Sequence, residues 1–167
     1  SYTATITAND GVHSTNQNIT VNITNVNDVA PEFTSAATLS GAENQTSIGT
    51  VTASDVEGDE ITFTISGSEL EITSSGVLTY AEAPDYETVT SFEAIVTASD
   101  SINSTTQDIT VNVINENDND PVFTSSEVLN GDENQTAIGT ITATDADGDD
   151  VTFSISGSDL AITSDGV

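Results

Sequence analysis

Asn115-Glu116-Asn117-Asp118-Asn119-Asp120-Pro121-Val122-Phe123 places carboxylates or amides on four consecutive residues, Asn117 to Asp120, between an alternating apolar run and a proline. Such a stretch cannot enter a core. Its oxygens repel one another unless a hard cation lies among them, because the chain has no Lys or Arg to neutralise them. Calcium, which takes many oxygen ligands, is the natural candidate. An earlier copy, Asn25-Val26-Asn27-Asp28-Val29-Ala30-Pro31-Glu32-Phe33, keeps Asn, Asn, Asp, Pro and Phe in the same places.

Working outward, the whole sequence aligns with itself without a gap at an offset of 90 residues, Tyr2 falling on Phe92 and Val77 on Val167. Such a period marks a tandem array. About two thirds of the positions in 31–77 are identical in 121–167, which points to recent duplication. The expected divisions are the C-terminal part of a repeat at 1–30, a complete repeat at 31–120 and the N-terminal half of another at 121–167. The chain opens inside a strand pattern at Tyr2-Thr3-Ala4. It ends at Gly166-Val167, where the copy Gly76-Val77 runs on into Leu78-Thr79-Tyr80. The native molecule is therefore expected to continue covalently at both ends.

Composition excludes several functions. Twenty-eight acidic residues, no basic ones and one His give a formal charge of −28, so nothing is present to displace counterions from nucleic acid. Anionic membrane surfaces are disfavoured for the same reason, and these residues hold no apolar span or signal peptide that would settle on which side of a membrane the chain stands. Acidity alone would suit a disordered chain, but 35% of residues are apolar and they alternate. Without Cys there are no disulfides or thiolate metal sites, and without Lys no Lys–Asn isopeptide links. Stability must come from a core and a cation.

The complete repeat reads as strands without helix. Ile61, Phe63 and Ile65 alternate with Thr; Phe92, Ala94, Val96 and Ala98 form the next run; Ile109, Val111 and Val113 form the last. Strands are predicted at about 33–40, 48–54, 60–66, 69–73, 76–81, 91–99 and 106–115, with Gly, Ser, Asn and Asp turns between them. Seven short strands imply an all-β, Greek-key β-sandwich. A β-solenoid would have a much shorter repeat.

Three further acidic groups stand at strand ends. They are Glu43 with its copy Glu133, Asp55-Val56-Glu57-Gly58-Asp59 with its copy Asp145-Ala146-Asp147-Gly148-Asp149, and Asp85-Tyr86-Glu87 together with Asp100, which closes Thr97-Ala98-Ser99-Asp100. A carboxylate on alternate residues followed by Gly resembles the start of a calcium loop. An Asp-Gly turn between strands looks the same.

The Glu-Asn, Asp-x-Asp, Asp-Tyr-Glu and Ala-x-Asp elements and the Asn-Asp-Asn-x-Pro-x-Phe linker, in this order over the whole chain, resemble the cadherin repeat. The Lys/Arg-free, near-identical copies look more like the cadherin-like arrays of large bacterial surface or secreted proteins than animal adhesion receptors. The resemblance implies Ig-like sandwiches joined by linkers that bind three Ca²⁺ ions each. At the second junction it implies ligands from Glu43, Asp85 and Glu87, from the side chains of Asn115, Asn117 and Asp118, from the carbonyls of Glu116 and Asn119, and from Asp145 and Asp147. At the first it implies Asn27, the Val29 carbonyl, Asp55, Glu57 and Asp100.

This chain departs from the family pattern in places. Asn25 and Asn115 stand for the linker's leading Asp, Glu57 for the second Asp of its motif, and Val29 for an Asn. The first junction is therefore expected to bind more weakly than the second. Asp59, Asp149, Asp150 and Asp120 have no role in the pattern and read as solvated loop charge. His13 reads as an exposed loop residue, and Tyr2 as core like Phe92.

The resemblance implies cages closed by protein oxygens, and no nucleophile is paired with a base, so no enzyme is expected. The leading function is a calcium-rigidified stalk or filament segment, extracellular or on a cell surface. Its partners would be Ca²⁺, neighbouring repeats of the same chain and like chains in a fibre. The rival is adhesion to a surface glycan or to a like copy. No Trp is present and the few aromatics sit at core positions, which leaves little for a sugar to stack on.

Overall fold

The computed structural model describes residues 1–157 and 159–167. β1 (Tyr2–Asn9) and β2 (Ser14–Val21) form an antiparallel hairpin with Tyr2 opposite Val21. Its turn is tied by Asp10 Oδ1, which accepts the N–H groups of Val12 and His13. His13 is exposed there, as expected. Tyr2, expected at a core position, is 71% exposed in this hairpin, which no second sheet faces among the described residues.

The next nine strands are β3 (Glu32–Phe33), β4 (Thr38–Ala42), β5 (Ser47–Thr50), β6 (Ala53–Ser54), β7 (Thr62–Ile65), β8 (Leu70–Ile72), β9 (Val77–Tyr80), β10 (Ser91–Ser99) and β11 (Ser104–Ile114). One sheet runs β4-β11-β10-β7, with β4 parallel to β11 and the other pairs antiparallel. The other runs β5-β9-β8, and β3 pairs with β6 separately.

Every predicted strand is present, but two are broken. The run at 33–40 becomes β3 and β4 because the chain changes sheets between them. Thr34 and Ser35 donate to the Thr52 carbonyl, whereas Ala37 already accepts from Thr110 on β11. The run at 48–54 breaks at Val51, whose N–H donates to the Gly76 carbonyl at 2.8 Å.

The two sheets enclose Val51, Phe63, Leu70, Leu78, Tyr80, Val96, Ala98, Ile109, Val111 and Val113. Period-two alternation along β10 and β11 puts these side chains on one face. Partly buried Phe92, Ala94, Ile61 and Ile65 pack around them. Two glycines are required by close approach. A Cβ on Gly41 would lie 2.9 Å from the Tyr80 ring, and one on Gly76, at φ +90°, would lie 2.2 Å from the Val51 carbonyl oxygen.

Beyond the second linker, β12 (Val122–Phe123) pairs with β13 (Ala143–Thr144) as β3 pairs with β6.

Candidate metal centres at the linkers

Glu43 follows the last residue of β4 and is buried, with 3% exposure. Its Oε1 accepts the Glu116 N–H at 2.8 Å and its Oε2 the Tyr86 N–H at 2.7 Å. One carboxylate thus joins the end of β4, the 85–87 turn and the linker, and each oxygen keeps a further lone pair. Glu43, Glu87, Asp118 and Asp147 each present an oxygen within 4.8 Å of the others. Four distant stretches of sequence contribute one ligand atom apiece.

One side-chain amide is shared among three of these acids. Asn119 Nδ2 lies 3.2 Å from Glu87 Oε2, 2.8 Å from Asp118 Oδ1 and 3.1 Å from Asp147 Oδ1. An NH₂ group has two hydrogens, so three carboxylates exceed what it can satisfy. The Glu87 carboxyl is held above its ordinary value by desolvation first, then by Asp85, Glu43 and Asp147. Asp147 is held below its ordinary value, first by the Asn119 N–H and, against desolvation, by the Asn119 amide and Glu87.

The linker backbone is clamped the same way at both junctions. Asp147 Oδ2 accepts the N–H groups of Asp118 at 3.1 Å and Asn119 at 2.8 Å. Glu57 Oε2 accepts those of Asp28 at 3.0 Å and Val29 at 3.1 Å. The longer Glu arm at the first junction therefore reaches the same pair of donors.

Asn115 donates through Nδ2 to the Asp147 carbonyl, while its Oδ1 is buried without a partner. Asp145 Oδ1 accepts the Asp147 N–H, and Asn117 donates to Asp149. Asp85 lies beside Glu87 but outside the four-acid group. Its oxygens accept the Glu87 N–H and the Thr88 hydroxyl, which shapes the turn after Pro84. At the first junction Asp55, Glu57 and Asp59 form a second group within the same distance, and Asp145, Asp147 and Asp149 form a third. Asp100 is buried, with 4% exposure. Against the desolvation that would raise its pKa, the N–H groups of Asn103 and Ile102 and the Asn103 amide hold it low. Asn103 also donates to Asn27 Oδ1 at 2.7 Å.

The donor set fits a hard divalent cation. It is all oxygen, it carries excess negative charge, and Asp55 Oδ2, Asp59 Oδ2 and Asn115 Oδ1 are buried with no partner. These are acidic clusters of a geometry that could hold a metal.

Two contributors were not singled out from sequence. Asn44, at φ +60°, donates through Nδ2 to Asp118 Oδ2 at 2.6 Å. Its signal was the repeated Glu-Asn pair, since Asn134 takes φ +64° at the matching place. Asn103 bridges Asn27 and Asp100, and nothing in the sequence separates it from an ordinary turn residue. The turns at Gly58 and Gly148, at φ +83° and +84°, bring Asp59 and Asp149 back to their clusters, where Asp59 is half-buried and Asp149 is exposed.

No family model matches the sequence. Among solved structures, the EC3-6 fragment of protocadherin gammaB7 is 28% identical over 87% of this chain and 43% of its own, with a TM-score of 0.69. Mouse cadherin-23 EC22-24 is 18% identical over 98% of this chain and 61% of its own, at 0.63. Human protocadherin-24 EC1-2 is 23% identical over 70% and 60%, at 0.58. The chain thus spans less than two thirds of each of these. Among the described residues no helix is long and apolar enough to cross a membrane. A strand that leaves one sheet at β3 to join the other at β4, with acids gathered where strands meet the linkers, agrees with these likenesses: the fold of this chain is cadherin-like.

Proposed function

We propose that this chain is a calcium-rigidified segment of a long extracellular repeat protein, a stalk or filament whose linkers bind Ca²⁺, and that its role is structural or adhesive rather than enzymatic. The observation that carries the reading is the meeting of Glu43, Glu87, Asp118 and Asp147 with no cationic side chain, and with the side-chain amides of Asn119 and Asn44, among them. Like charges at this separation cost about 1–4 kcal/mol per close pair in a partly screened site. Bound calcium supplies the missing positive charge and cross-links oxygens from different strands.

In this reading Glu43, Asp85, Glu87, Asn115, Glu116, Asn117, Asp118, Asn119, Asp145 and Asp147 hold ions at the second junction, and Asn27, Val29, Asp55, Glu57 and Asp100 at the first. The repeat limits 1–30, 31–120 and 121–167 follow, because each linker precedes a β3-like or β12-like strand.

Small-angle scattering with calcium and with chelator tests the proposal. Calcium should give a longer, stiffer particle, and identical profiles would refute it. A second reading, association with a like chain, is supported by the likeness to a protocadherin gammaB7 structure described as a cis-dimer. Sedimentation in calcium checks it, with a monomer at every concentration as the contrary result.

A further inference from the structure

We infer that Asp59 is a metal ligand in its own right; this rests on the calcium reading and adds to its ligand set. The loop after β6 is built to return this side chain. Asp55 Oδ1 accepts the N–H groups of Glu57 at 2.8 Å and Asp59 at 3.3 Å, and Gly58 turns at φ +83°. Val56 points outward, 81% exposed, while Asp55, Glu57 and Asp59 bring one oxygen each within 4.8 Å of the others. The copy repeats the device: Asp145 Oδ1 accepts from Asp147 at 3.0 Å and Asp149 at 3.4 Å.

Turn geometry alone would not make a ligand. Two independent observations do more. Asp59 Oδ2 is buried with no hydrogen-bond partner, as is Asp55 Oδ2 beside it, which is costly for charged oxygens that could otherwise face water. In addition, Asp59 lines a cavity of about 400 Å³ together with Asn27 and Asp100, two ligands the first junction already requires. Coordination number agrees. In the calcium reading Asn27, the Val29 carbonyl, Asp55, Glu57 and Asp100 would supply one donor each, one short of the minimum of about six that calcium takes when all are monodentate. Asp59 supplies the sixth.

The test is calcium titration of the full chain, following the amide NMR signals of Gly58 and Gly148 so that the two junctions are read separately. Glu69→Gln removes the same charge from an exposed site outside that cavity and serves as the control. Asp59→Asn should weaken calcium binding at Gly58 by about tenfold or more, with Glu69→Gln near the parent and Gly148 unmoved. Equal behaviour of Asp59→Asn and Glu69→Gln, while Asp100→Asn and Glu87→Gln still weaken binding, would overturn this inference alone. Absence of any calcium response in the unmodified chain would bring down the calcium reading and the inference with it.

Discussion

Residues 31–77 and 121–167 share about two thirds of their positions and stand in two different settings. Their backbones meet in the same places. Val51 donates to the Gly76 carbonyl at 2.8 Å and Ile141 to the Gly166 carbonyl at 2.8 Å, and Phe63 and Phe153 donate to Ser74 and Ser164. Even the forbidden Cβ positions match, at 2.2 Å from Val51 O and from Ile141 O. Burial does not match. Leu70 is 3% exposed and its counterpart Leu160 is 58% exposed, and no strand is assigned over 152–155 where β7 spans Thr62–Ile65 in the first copy. The difference is β10 and β11, which close the sandwich over the first copy and have no equivalent packed on the second among the described residues. Turns and close backbone approaches are local properties; a core needs both sheets.

The largest effect should come from Gly76→Ala, which meets a fixed carbonyl and a left-handed φ at the centre of the closed sandwich. Thermal unfolding should lose most or all of its main cooperative transition, a change above about 4 kcal/mol. Gly166→Ala carries the same clash but should leave that transition in place. An equal loss from both would mean that the second copy is as tightly packed as the first.

Leu70→Ala should follow, destabilising by about 2–5 kcal/mol through a cavity between the sheets. Leu160→Ala should stay within about 0.5 kcal/mol, because most of that side chain already meets water. Urea unfolding of the two variants makes the comparison directly.

A pH effect should come from Glu87 of the complete repeat. Its folded pKa is raised from the ordinary 4.5. The calcium-free junction therefore keeps a proton just above pH 4.5 that the unfolded chain has released. This group's contribution to calcium-free stability is present below that pH and fades as pH rises through the folded pKa. Calcium must displace the proton, so affinity should rise with pH and binding should release protons in that window. Calorimetry in buffers of different ionisation enthalpy measures the release. None in the parent chain would argue against Glu87 as a ligand.

The smallest effect concerns Asn44. Asn44→Gly keeps the φ +60° backbone open to Gly but removes the bond to Asp118, so calcium affinity at the second junction should fall a few-fold, by about 1 kcal/mol. Asn134→Gly should leave it unchanged. Following the Gly148 amide during titration separates the two.

Much of this was legible in the sequence because the signals are local or periodic. Alternation named the core faces of β7, β10 and β11, and Gly, Asn and Asp marked the turns. The doubled linker and its acidic companions marked where oxygens gather. What the sequence could not show were outcomes of chain crossing. The split of 33–40 between sheets depends on Ala37 finding β11, a strand about seventy residues away. The place of Asn44 depends on Asp118, and that of Asn103 on Asn27, each across a similar separation.

Tyr2 and Asp59 teach the same lesson in opposite directions. Tyr2 has the apolar pattern of a core residue and lies exposed in a hairpin that no second sheet faces among the described residues. Asp59 has the pattern of a solvated turn and keeps a buried, unpartnered oxygen, since a positive-φ glycine folds it back on Asp55. The sequence by itself determined the β-sandwich class, the repeat and the oxygen-rich linkers, because periodicity and turn chemistry are written within a few residues. Only the tertiary structure decided which apolar faces are covered and which oxygens converge, because both depend on segments brought together from far apart in the chain.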